Sequence, residues 1–285
     1  MKAALRDAWD RVWFRPAGPM ALIAARVLVC VQALWILLSR PDLPDLARWP
    51  EEFWVLAGQM LPVRFGIVGL PPAAEWGLFV VLHLSLVAAL LGLWCRLSCL
   101  VAALLLYHFA PFEEILAGMP HTAFGGLTLP TMALFVLSFA EAPRHRGPAS
   151  PEYRWPLALI QLLLAFHYFF PALAKLRFSG LDWFTAENLH YYVLGNHAVT
   201  AAPLALWVAR QPALCAALAT GTLLLEVCAP LVVVSTRFAH AFLAAALAFH
   251  TGILLVIGYF FPSLPLLLLL VDWDSLGRRT SAPSA

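Results

Sequence analysis

The residues best suited to moving a proton are a lysine set among aromatic and small side chains, a histidine at the same depth, and a tyrosine two helical turns away. Lys175 closes the run LIQLLLAFHYFFPALAKL, and Tyr168, seven positions earlier, shares its helix face. A lysine kept from water can present a neutral amine near neutral pH and act as a general base. His121 opens MPHTAFGG at the start of another apolar run, which sets it at the level of Lys175. Pro171 lacks a backbone donor, so a kink is expected beneath the lysine, with room for a flat ligand. The alternative is structural: Lys175 snorkels to the headgroups and His121 caps its helix.

Two further charges lie well inside apolar runs, where each costs about 2.5–3.5 kcal/mol and normally finds a partner. Arg26 is about 9 Å from the inner end of its span and Glu226 about 12 Å from the inner end of its own. Equal depth predicts a structural ion pair, Arg26 with Glu226. His250 sits mid-helix in LAFHTGILLVIGYFF, while His83, His108, His167 and His240 read as single core histidines on apolar helices. The five cysteines fall in or beside spans and read as buried thiols; no metal-ligand spacing is present, so no metal is expected.

These residues must be positioned by elements that the composition identifies. Of 285 residues, 62% are hydrophobic and 12% charged, with a mean hydropathy of +0.82. An ordinary soluble domain has roughly 45–50% apolar and 25% charged residues, which excludes a cytosolic globule. The apolar residues gather in runs long enough to cross a hydrocarbon core of about 30 Å as helices, and they do not alternate as barrel strands would. The expected fold is an all-α, polytopic transmembrane bundle of seven or eight spans, near 20–39, 74–94, 97–111, 122–140, 156–176, 212–234, 238–258 and 261–271. Residues 1–19 read as an interfacial amphipathic helix, 20–273 as one transmembrane domain and 274–285 as a disordered tail.

A cytoplasmic N-terminus places eleven basic residues inside (Lys2, Arg6, Arg11, Arg15, Arg96, Arg144, Arg146, Arg154, Arg237, Arg278, Arg279) and six outside. That asymmetry satisfies the positive-inside rule. The long first loop, EEFWVLAGQMLPVRFGIVGLPP, then faces out as an interfacial or re-entrant helix pair, as does 177–211. The elaborated outer face is where a site is expected. A net charge of +2 with scattered basic residues gives no reason to expect nucleic acid.

Four segments carry a resemblance. AWDRVWFRPAGPMALIAARVLV resembles the start of the HTTM family, bacterial membrane proteins related to the membrane part of vitamin K-dependent γ-glutamyl carboxylase, with Arg26 in the first span. HYFFPALAKLRFSGLDW is similar to the carboxylase segment that holds a catalytic lysine followed by an Asp-Trp, matched here by Lys175, Asp182 and Trp183. MPHTAFGGLTLPTMALF resembles the stretch with the active-site histidine, matched by His121, and FHTGILLVIGYFFPSLPLL a late span beginning Phe-His, matched by Phe249 and His250. The family's Ala-Gly before the lysine is Pro171-Ala172 here, and the first of its lysine pair is Ala174.

The resemblance implies a membrane enzyme, resident in the bacterial inner membrane, that uses a reduced naphthoquinone of the vitamin K or menaquinol type with oxygen and carbon dioxide. Lys175 would be its general base and His121 a neighbouring hydrogen-bonding group, with Tyr168, Trp183 and His250 around the quinol. A peptide or protein substrate would meet the site at the extracytoplasmic face. The rival reading is a non-catalytic immunity, maturation or partner-binding protein built on the same bundle.

Overall fold

The computed structural model describes residues 2–49, 70–116, 126–143, 147–261 and 263–279. The first-loop helix pair, which falls largely on 51–69, and His121 lie outside the described residues. The described chain is helical, and five of its helical segments are long and apolar enough to cross a membrane: Pro19–Leu38, Pro72–Leu91, Pro151–Phe178, Pro212–Val233 and Thr236–Val256. Two more apolar helices, Cys95–Ala110 and Thr128–Phe139, are shorter. Many large apolar side chains on the spans remain exposed, among them Leu84, Leu91, Leu104, Leu224 and Leu254. Water would penalise such surfaces and lipid does not, so the chain is a multi-pass helical membrane protein.

The chain divides into two compact units, one of residues 1–163 with 272–285 and one of residues 164–271. The first unit contains α1 (Lys2–Trp13), α2 (Pro19–Leu38), α3 (Pro72–Leu91), α4 (Cys95–Leu116) and α5 (Thr128–Phe139). Proline at the first helical position starts both α2 and α3, where the missing donor costs nothing. Gly92, in the left-handed region at φ 74°, ends α3, and a Cβ there would sit 3.1 Å from the Arg26 guanidinium. Only glycine suits both the turn and that close approach. α4 packs against α3 and α5, burying Leu82, Leu86, Leu106 and Phe109.

The boundary between the units falls within α6 (Arg154–Phe178). Pro171 lies inside this helix without ending it. The second unit continues with a 3-10 segment (Gly180–Phe184), α7 (Ala186–Thr200), α8 (Ala205–Ala209), α9 (Pro212–Cys228) and α10 (Thr236–Val256). The expected outer loop 177–211 is therefore largely helical; its short apolar stretches lack the length of a span, but they pack. Val193, Ala202, Ala205 and Ala209 form a small core closed by Leu189, Val256 and Ile257. The piece expected to cross at 261–271 is instead a seven-residue 3-10 helix, Leu264–Leu270, about 14 Å long and too short for a hydrocarbon core.

The last described element is a short helix, α11 (Trp273–Arg279), which runs into the stretch read as a tail. Asp272 caps its start, accepting from the Ser275 amide at 3.1 Å. Asp274 reaches back to the start of α2, accepting from the amides of Gly18 at 2.8 Å and Ala21 at 3.2 Å. The carboxylate lies where a Cβ of residue 18 would stand, which explains glycine there.

Candidate functional site

The second unit gathers Lys175, Glu226, Trp183, Tyr168 and His250. Lys175 lies in the last turn of α6 and Glu226 two residues before the end of α9. The lysine ammonium donates to Oε1 of Glu226 in an ion pair that is half-buried on the lysine side and buried on the acid side. Beyond Phe178 the chain turns through Gly180, at φ 56°, into the 3-10 segment. This fold-back brings the Trp183 ring to 5.0 Å from Nζ of Lys175, a cation–π distance. Two contacts fix the indole: its Nε1 donates to the Ala219 carbonyl at 3.1 Å, and the turn beneath it is tied by Thr185 and Asn188, both donating to the Asp182 carbonyl.

The phenol of Tyr168 and Nε2 of His250 are hydrogen-bonded at 2.8 Å, joining α6 to α10. Phe242 meets the tyrosine edge-on at 5.3 Å, and Phe261 meets the histidine at 4.9 Å. Tyr168 is two turns before Lys175 on α6, about 10.5 Å along the axis, so the two polar pairs share one helix and one unit. Among the described residues, Oε2 of Glu226 and Nδ1 of His250 are buried without a hydrogen-bond partner. Unpaired polar atoms in a low-dielectric interior are costly and mark a place where a ligand's donor and acceptor groups would be bound.

Each member of the expected Arg26–Glu226 pair has partners within its own unit. Arg26 donates to the Pro143 carbonyl at 3.3 Å and to the Cys95 sulfur at 3.5 Å, and Glu226 takes Lys175. Lys175 and Glu226 both lie near the C-terminal ends of their helices, and those ends meet; depth counted from the inner end of each apolar run does not anticipate that contact.

A second buried pair went unread in the sequence. Glu75 in the first turn of α3 accepts or shares a proton with Nε2 of His108 at 2.8 Å, and no part of Glu75 is exposed. Its position one residue inside the expected span boundary disguised it as an interfacial acid; its four-residue spacing from Phe79, and the aromatic run around His108, were the available signal. Among the described residues no group of three or more potential ligands could hold a metal ion. Compared with protein-family models, with characterised proteins and with solved structures, the chain has no match.

Proposed function

We propose that the protein is an HTTM-type membrane enzyme, similar to the membrane part of vitamin K-dependent γ-glutamyl carboxylase, in which Lys175 acts as general base toward a membrane quinol. The observation that carries this reading is the cluster itself: an ion-paired lysine under an indole, beside a tyrosine–histidine pair, with Glu226 Oε2 and His250 Nδ1 both buried and unpaired. A reduced naphthoquinone fits such a donor set, since it is flat enough to lie against Trp183 and its ring hydroxyls can both donate and accept. When bound, it supplies an acidic hydroxyl and, with oxygen, the strong base that carboxylation requires.

The chain's own residues then divide the remaining work. Lys175 can take a proton only after yielding one, and Oε1 of Glu226 is the acceptor in contact with it. Transfer along that bond leaves a neutral amine beside a carboxylic acid, two uncharged groups suited to a half-buried site. Nδ1 of His250 is available to hydrogen-bond a ring oxygen, with the imidazole held by Tyr168. His121 remains in the proposal as a further hydrogen-bonding group. The same reading sets the N-terminus in the cytoplasm, the site toward the outer leaflet of a bacterial inner membrane, seven or eight crossings in all, and a peptide or protein substrate approaching from outside.

Oxygen-dependent oxidation of menaquinol and ubiquinol analogues by the purified protein in detergent tests the reading. Turnover in wild type that disappears in Lys175→Arg is expected, because arginine keeps the ion pair but cannot give up its proton. Turnover retained in Lys175→Arg removes the base assignment. A second reading, non-catalytic partner binding, is favoured by the aromatic surface of α7 and α8, where Tyr191, Tyr192 and Trp207 are exposed. It gains if wild type oxidises no quinol.

A further inference from the structure

The first unit carries an open cavity of about 800 Å³, within the range of small-ligand sites, lined by Trp94, Arg96, Leu97, Glu141, Pro143 and Tyr153. It lies at the turn between α3 and α4, and none of the five residues of the catalytic cluster belongs to it. Two opposite charges share the cavity without neutralising each other: the ion pairs formed among the described residues do not include Arg96 or Glu141. Arg96 is anchored by Nε, which donates to the Ala140 carbonyl at 2.9 Å. That bond fixes the guanidinium plane and leaves its two terminal nitrogens as a fork for an anion. The wall bearing Glu141 is held by a second arginine, since Arg26 donates to the Pro143 carbonyl at 3.3 Å.

The surroundings belong to a lipid boundary. Leu91, Leu93 and Leu97 are exposed beside the turn, and Trp94 projects outward 80% exposed from a left-handed backbone at φ 41°. A bulky residue rarely adopts that conformation, and an exposed tryptophan at a span end belongs at headgroup level. A ligand held here thus has apolar chains beside the leucines, a phosphate for Arg96 and a positive charge for Glu141.

We propose that this cavity binds the headgroup of a phospholipid bearing a primary ammonium, of the phosphatidylethanolamine type, with its phosphate on Arg96 and its ammonium on Glu141. An anionic headgroup such as phosphatidylglycerol satisfies the arginine but faces an unpaired carboxylate. A choline headgroup is positive but cannot donate hydrogen bonds to Glu141. The fixed pair of charges, rather than net charge, selects the lipid.

The test is titration of the full-length protein in detergent with dioleoyl phosphatidylethanolamine, phosphatidylcholine and phosphatidylglycerol, bound lipid being counted by native mass spectrometry. Wild type is expected to retain phosphatidylethanolamine at about tenfold lower lipid concentration than the other two, as a charge-assisted hydrogen bond predicts. Glu141 is exposed, so Glu141→Gln keeps the fold; it should erase the preference, and Glu141→Lys should move it to phosphatidylglycerol. Arg96→Gln should weaken all three. Equal or tighter binding of phosphatidylglycerol by wild type, an undiminished preference in Glu141→Gln, or displacement of the lipid by inorganic phosphate at comparable concentration overturns the proposal.

Discussion

Among the described residues, each unit buries one glutamate with one oxygen left unpaired, yet the two are placed in opposite ways. Glu75 is sealed: its partner His108 is 7% exposed, Phe79 and Phe109 meet edge-to-face nearby, and the fully buried Leu43 belongs to a 3-10 turn (Leu43–Arg48) that packs on α3 and α4. Glu226 is paired to a lysine that keeps 21% of its side chain exposed and carries an indole over its ammonium. One pair is enclosed by hydrophobic groups, and the other keeps part of its lysine exposed, in a unit that also holds the tyrosine–histidine pair. Burial of a charge alone therefore does not identify a site.

The sharpest way to break this comparison is Lys175→Arg. Loss of quinol oxidation by about 10²-fold or more, with the melting temperature unchanged, is expected if the lysine acts as a base. The corresponding change in the other unit, Glu75→Gln, should leave turnover within about twofold, since it preserves a hydrogen-bonding side chain that makes no contact with the Lys175 pair. Equal losses in both would erase the distinction between the units.

Stability separates the pairs next. Glu226→Leu leaves the Lys175 ammonium without its partner and should cost about 3–5 kcal/mol, read as a lower unfolding midpoint in detergent. Combining it with Lys175→Met should recover most of that loss, and a double variant no more stable than Glu226→Leu would show that the two residues are not coupled. His108→Ala strands Glu75 in an apolar shell and should cost about 2–4 kcal/mol without changing the affinity for quinol. The smallest effect expected is that of Tyr168→Phe, which removes one hydrogen bond to His250. It should lower stability by about 1 kcal/mol while weakening quinol binding, and an unaltered Kd would take His250 out of the ligand's reach.

Helix positions were legible because they follow from apolar run length: the runs near 20–39, 156–176 and 238–258 correspond to α2, α6 and α10. What the runs conceal is where a helix stops within them. The run 212–234 likewise corresponds to the apolar segment Pro212–Val233, but it hides the change at Pro230 from α9 to a 3-10 turn, which run length cannot reveal. Tyr168 and Lys175 were legible together, since seven residues on one helix face separate them, whereas Trp183 was singled out by the resemblance alone. The Tyr168–His250 bond was not legible, because 82 residues of chain intervene and periodicity does not say which helices meet. Asp272 and Asp274 were missed for a simpler reason: a short polar end with Gly and Arg resembles a frayed tail, and the capping acid is recognisable only once its amide partners are known.

The Asp274 contact also orders events in time. The amides of Gly18 and Ala21 at the entrance of the first span wait for a carboxylate 256 and 253 positions downstream. At the ribosome's pace of about 5–20 residues per second, that interval is roughly 13–50 s. Through all of it the first span resides in the bilayer with its leading amides uncapped by that acid. The unit that begins the chain is thus closed only after residue 274 has been made, once the whole of the other unit has left the ribosome.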